Sequence, residues 1–227
     1  MHIEPELVDA GKLWLSYATA TGAVAYAFKQ AWEMVRDQGV GSLLVRSSVT
    51  TALVLFFFEV LPHHPVGVSE VHLILGSTLF LLFGAAPAAL GLGAGLLLQG
   101  LAFSPIDLPQ YGMNVTTLLV PLFAISALAR RIIRPATPYV DLTYRQALAL
   151  STTYQAGIVV WVAFWAIYGQ GFTAVNTVSV LSFGAAYMTV ILIEPLVDLT
   201  VLTAAKMFAR REGRVLFELR VFSARAM

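Results

Sequence analysis

The chain begins Met1-His2-Ile3-Glu4, and its other three histidines, His63, His64 and His72, fall within one stretch, LPHHPVGVSEVH. A histidine in second place at a free terminus can offer several nitrogens to one metal ion. The α-amine and the His2 backbone nitrogen close a five-membered chelate ring, and that backbone nitrogen and the imidazole Nδ1 close a six-membered one. These donors lie nearly in a plane, and one further imidazole completes a square. Square-planar nitrogen suits Ni(II) or Cu(II) and accommodates Co(II), whereas Zn(II) prefers a tetrahedron. Amine and amide must both lose protons, so binding weakens as pH falls. Histidine is also a bulky second residue of the kind that blocks removal of the initiator methionine, so the Met1 amine is expected to persist. Glu4, Glu6 and Asp9 raise the local cation concentration without ligating. Plainer accounts stand beside this one. A terminal Met-His can be incidental, His63-His64 beside prolines suits a solvated loop, and His72 can be a hydrogen-bonded cap on an apolar run.

Whatever positions these residues lies in a membrane. Of 227 residues, 58% are hydrophobic and only 12% charged, about half the charge of a soluble domain. A net charge of +1 argues against nucleic acid as a partner. With no cysteine in the chain, disulfides and thiolate ligands are excluded. The first residues have no basic and apolar regions of a cleaved signal. Apolar runs long enough to span a bilayer cover Lys12 to Val35, Ser42 to Leu61, Gly112 to Ile133, Tyr144 to Tyr168 and Val178 to Phe208. The run from His72 to Phe103 is too long for one helix, and Gly84-Ala85-Ala86-Pro87 is its expected break.

Charge decides whether that run counts once or twice. With two passes the loops alternate, and all but Lys12 of the 14 lysines and arginines fall on one side. The excess of positive charge on the cytoplasmic side therefore favours an all-α bundle of about seven transmembrane helices, amino terminus outside and carboxyl terminus in the cytoplasm. Residues 1–208 read as one transmembrane domain with a metal-binding segment at 1–11, and 209–227 as a basic cytoplasmic tail, either a surface segment or disordered. His72 to Gly84 is short for a span, so His72 is expected at the floor of an external vestibule.

The opening MHI, the stretch PVGVSEVHLILGSTLFLLFGAAPAALGLGAGLLLQGLAF and the following YGMNVTTLLVPL resemble the CbiM/NikM family. Its members are substrate-specific membrane subunits of energy-coupling factor transporters for cobalt and nickel. The likeness runs from residue 1 to about residue 130, and implies that Met1, His2 and His72 bind the ion. Two departures stand out: Glu4-Pro5-Glu6 replaces the family's opening, and Glu70-Val71 makes the loop before His72 longer. They leave His64 as an alternative ligand, with Asn114 as an outer donor that orients an imidazole or else a helix cap. The resemblance further implies capture of Co2+ or Ni2+ at the outer face of a bacterial or archaeal inner membrane, serving cobalamin biosynthesis. It implies a transmembrane coupling subunit and cytoplasmic ATPase subunits as partners, with a small accessory membrane subunit in some assemblies. The transported ion is the only ligand expected, with no cofactor. The chain has no Gly-x4-Gly-Lys-Ser/Thr motif, so ATP hydrolysis falls to other subunits and the chain itself is not an enzyme.

Two rivals come from other classes. An intramembrane metalloenzyme would use His63, His64 and His72 with Glu59 or Glu70 as base, but lacks His-Glu-x-x-His. A scaffold would make its histidines incidental. Glu194 and Asp198, four apart on one helical face, are costly in a membrane. The simplest expectation pairs one or both with an arginine, such as Arg46 or Arg145, near the inner face. The small-residue runs of the first span and of ALGLGAG suit close helix packing, and Tyr154, Gln155, Trp161 and Trp165 suit core or interface.

Overall fold

A computed structural model describes residues 3, 7–135, 137–208 and 216–221. The path is α1 (Trp14–Gln38), α2 (Val40–Glu59), a hairpin of β1 (His64–Val66) and β2 (Ser69–Val71), then α3 (Gly76–Phe83) and α4 (Ala85–Ala102). It continues through α5 (Tyr111–Ile132), α6 (Tyr144–Gln170), α7 (Ala174–Met188) and α8 (Glu194–Phe208). Five segments are long and apolar enough to cross a membrane: Val40–Glu59, Ala85–Ala102, Pro105–Ile132, Tyr144–Gln170 and Ala174–Ala205. Leu44, Phe172, Val175, Leu181 and Leu192 are exposed on them or beside them, as lipid-facing residues should be. The protein is a helical membrane protein. α1 is not one of the five, since its second half carries Lys29, Glu33, Arg36 and Asp37.

Small residues set the helix spacing. A β-carbon on Gly91 would lie 2.2 Å from Thr50 Oγ1, and one on Gly95 2.6 Å from Val54, so α4 lies directly against α2. Thr50 Oγ1 also donates to the Pro87 carbonyl at 2.8 Å. On α1, Ser16, Ala23, Ala27 and Ala31 form the buried stripe, and Gly112 of α5 meets the Ser16 backbone. These runs therefore serve internal packing. Tyr154 and Trp165 of α6 are fully buried core, and Trp161 Nε1 donates to Thr116 Oγ1 on α5 at 2.9 Å.

Two breaks shape the interior. The first falls at Gly84, whose φ of +90° separates α3 from α4 and leaves Pro87 in the first turn of α4, where its missing N–H costs nothing. The second interrupts what the sequence suggests is one continuous span from Val178 to Phe208. A 3₁₀ turn at Thr189–Leu192 ends α7, and α8 restarts at Glu194 with Pro195 behind it. The carboxyl-terminal stretch also differs from a purely peripheral tail. Over 216–221 it packs on the bundle: the Glu218 N–H donates to the Leu82 carbonyl at 2.7 Å, Phe217 stacks on Phe83, and Val221 is fully buried.

Candidate metal centre

The hairpin that carries the histidines is fixed from both sides. Its strands pair antiparallel with His64 opposite Val71 and Val66 opposite Ser69. The turn glycine, Gly67, has φ +62°, and a β-carbon there would lie 2.1 Å from the Ser179 carbonyl of α7. Only glycine fits both the left-handed backbone and that approach. Past β2 the chain runs without regular structure to Leu75, whose φ of +54° is unusual for a branched side chain, and then turns into α3.

His72 lies in that stretch and is 2% exposed. It is covered rather than set on the floor of an open vestibule. The His63 ring stacks on it at 4.8 Å and an interplanar angle of 7°. Phe58 meets it edge-on at 5.1 Å, and Glu70 Oε2 lies 3.7 Å from its Nε2. His64, the alternative ligand suggested by the sequence, is exposed on β1, so the ring brought onto His72 is that of its neighbour His63. Glu59 is exposed at the end of α2.

The amino-terminal segment is threaded into the same end of the bundle. Ile3 is fully buried, forms an antiparallel bridge to Ser69, and its N–H donates to Asn114 Oδ1 at 3.0 Å. Asn114 is thus neither a helix cap, since α5 starts at Tyr111, nor shown on an imidazole. It receives the main chain of the first strand-like residue. Further along, Leu7 and Val8 are buried, and a β-carbon on Gly169 would lie 1.9 Å from the Leu7 carbonyl. Lys12 Nζ donates to the Tyr168 and Gly169 carbonyls at 3.0 and 3.2 Å, closing the end of α6. Met1 and His2, along with Glu4 and Glu6, lie outside the described residues. Among the described residues, no three histidine or acidic side chains cluster closely enough to hold a metal ion.

Among the described residues, the membrane carboxylates do not meet arginine as the simplest expectation had it. Glu194 and Asp198 are fully buried. Glu194 accepts from Ser151 Oγ at 2.5 Å, Gln155 Nε2 at 2.6 Å and the Ser77 N–H at 3.4 Å. Asp198 accepts from Ser77 Oγ at 2.8 Å and Thr78 Oγ1 at 2.5 Å. Arg46 instead pairs with Glu218 at 3.2 Å, and Arg145 is exposed at the start of α6. The physical reason is the α7–α8 break, which starts α8 beside the first turn of α3, where hydroxyls and a free helix N–H satisfy carboxylates directly.

No curated protein and no solved structure matches the chain. A family model described as the cobalt uptake substrate-specific transmembrane region, CbiM, matches residues 2–212. That is nearly the whole length, well past the part where the resemblance is plain by eye, and it includes the hairpin, Asn114 and both carboxylates. The chain belongs to the CbiM family of cobalt uptake membrane components.

Proposed function

We propose that this chain is the ion-selecting membrane subunit of an energy-coupling factor importer for cobalt or nickel. In this reading it captures the ion on the outer side with the Met1 amine, the His2 backbone and imidazole nitrogens, and the His72 imidazole. The observation that carries it is the anchorage of Ile3, whose N–H is held by Asn114 while its backbone bridges to Ser69, three residues before His72. One peptide unit spans only about 3.8 Å between α-carbons, so the anchor restrains the start of the chain to the His72 end of the bundle. His63 and Phe58 shield the imidazole, and Glu70 orients it, as carboxylates beside ligating histidines do.

Seven passes with the amino terminus outside follow if α1 and α3 also cross. The end of the bundle around Gly84 supports that orientation: a cavity of about 310 Å³ there is bordered by Lys29, Arg130 and Arg220 beside Glu33, Asp37 and Glu218, and it is lysine and arginine, not net charge, that mark the cytoplasmic side. ATP hydrolysis and reorientation fall to coupling and ATPase subunits, and delivery to cobalamin biosynthesis is the use that cobalt suggests. Metal analysis of the full chain with its native amino terminus, beside His2→Ala, His72→Ala and a form extended by a few residues, tests the proposal. Loss of bound Co2+ and Ni2+ in all three altered forms is expected. Equal occupancy throughout would overturn the ligand set, and an extended form that still supports uptake would favour the enzyme or scaffold alternatives.

A further inference from the structure

We propose that Glu194 and Asp198, with Ser77 and Thr78, form a second, oxygen-lined binding station for a divalent cation, buried behind the His72 end of the bundle. Its assignment to the transported ion rests on the function proposed above; the existence of the site does not.

Charge is the first ground. Two carboxylates fully removed from solvent are costly in a membrane unless compensated. Among the described residues neither has an ion-pair partner, and the groups donating to them are neutral hydroxyls, an amide and a backbone N–H. A single divalent cation neutralises both.

The second ground is independent of the acids. Three polar oxygens around them are buried and hydrogen-bonded to nothing: Gln155 Oε1, Tyr154 Oη and Tyr187 Oη. Gln155 is fully buried, and the other end of its amide is already on Glu194 at 2.6 Å, so its free oxygen belongs to the same site. Tyr154, also fully buried, presses the hydroxyl-bearing carbon of its ring onto Gly76, where a β-carbon would lie 2.1 Å away, one residue before Ser77. Both tyrosines are close enough to Glu194 to feel its charge. Buried polar atoms are nearly always satisfied. A helix cap would need one acceptor for an N–H on the first turn of α3, and Glu194 alone supplies it at the Ser77 N–H; Asp198, held only by side-chain hydroxyls, and the three orphan oxygens exceed that need.

The third ground is position. Ser77 follows His72 by five residues on the same run of chain. Carboxylate, hydroxyl and amide oxygens suit Mg2+ and Mn2+ and also accept Co2+ or Ni2+. They hold such ions less tightly than a chelating set of nitrogens. Strong capture followed by a weaker station is the arrangement that lets an ion both enter and leave.

The test uses full-length protein in detergent with its native amino terminus, titrated with Mn2+ by EPR of the free ion and with Co2+ by metal analysis. Mn2+ is the probe because it sits lowest in affinity for nitrogen sites and favours oxygen. Wild type and His72→Ala are expected to bind Mn2+ alike. The double variant Glu194→Gln, Asp198→Asn is expected to lose Mn2+ affinity by about tenfold or more while keeping its tightly held Co2+, which also reports an intact fold. If that variant does not fold, Ser77→Ala and the charge-keeping Glu194→Asp replace it, the first weakening Mn2+ more than the second. No Mn2+ binding by wild type, or equal binding by wild type and the carboxylate variants, would overturn the station. Tight Co2+ retained by His72→Ala would instead sink the outer ligand set and leave this site standing.

Discussion

The short helix α3 has two very different ends. Its first end is reached through a stretch without regular structure, closed by a left-handed Leu75, and fenced by the start of the described chain, with Ile3 on Asn114 and Ser69. Its last end stops at a positive-φ Gly84 and is fenced by the chain's last described residues. There the Glu218 N–H is on the Leu82 carbonyl and the Glu218 carboxylate on Arg46. Both termini are held by a main-chain N–H and by apolar burial, but an ion pair with a fully buried arginine is added at the carboxyl-terminal one. Backbone bonds fix position to within fractions of an ångström whatever the side chain, which is what a chelate requires. An ion pair fixes a segment more loosely, and its partner charge can be removed by substitution. The first end is therefore expected to govern ion binding and the last end to govern cohesion.

The sharpest way to break that division is Gly67→Val. The new side chain meets both a left-handed backbone and the Ser179 carbonyl, so a loss of about 3 kcal/mol or more is expected in thermal unfolding, with bound Co2+ lost as the hairpin shifts. A variant as stable as wild type would show that the hairpin is not seated on α7. Next, Asn114→Ala leaves the Ile3 N–H buried without its acceptor, costing about 1–3 kcal/mol. Co2+ retention should fall about tenfold, and unchanged retention would detach the amino-terminal anchor from ion binding. Arg46→Gln strands Glu218 and should lower stability by about 1–2 kcal/mol and expose the 216–221 segment to proteolysis, with Co2+ affinity unaltered. If affinity fell as well, the two ends would be coupled rather than separate. Smallest, Trp161→Phe removes the bond to Thr116 for about 1 kcal/mol and should leave both ends as they are.

Much of the helical course is legible because hydrophobic length and glycine–proline punctuation are local signals. The break at Gly84–Pro87 and the long spans of α2, α5 and α6 follow from them. The break before Glu194 is not legible in the same way, since Val178–Leu192 is continuously apolar and only Pro195 hints at it. Its cause is tertiary: the first turn of α3 offers donors that a straight helix would carry past the carboxylate. The pairing of Glu194 and Asp198 with hydroxyls, and of Arg46 with a glutamate 172 residues later, has no signature in spacing. Asn114 was visible as a polar residue near a helix start, yet its partner is a backbone N–H 111 positions away. That the His63 ring, not that of His64, lies on His72 has no signature in residue pattern, because the stacking depends on the hairpin register.

Eight residues of helix measure about 12 Å along the axis, against roughly 30 Å of hydrocarbon. Along the line of α3, then, buried carboxylates and hydroxyls at its first turn stand only about 12 Å from the charged cavity at Gly84. Were water to reach both polar ends during transport, the transmembrane voltage would fall largely across that short distance. For a divalent ion the drop amounts to about 4.6 kcal/mol per 100 mV, directed inward in a cell whose interior is negative.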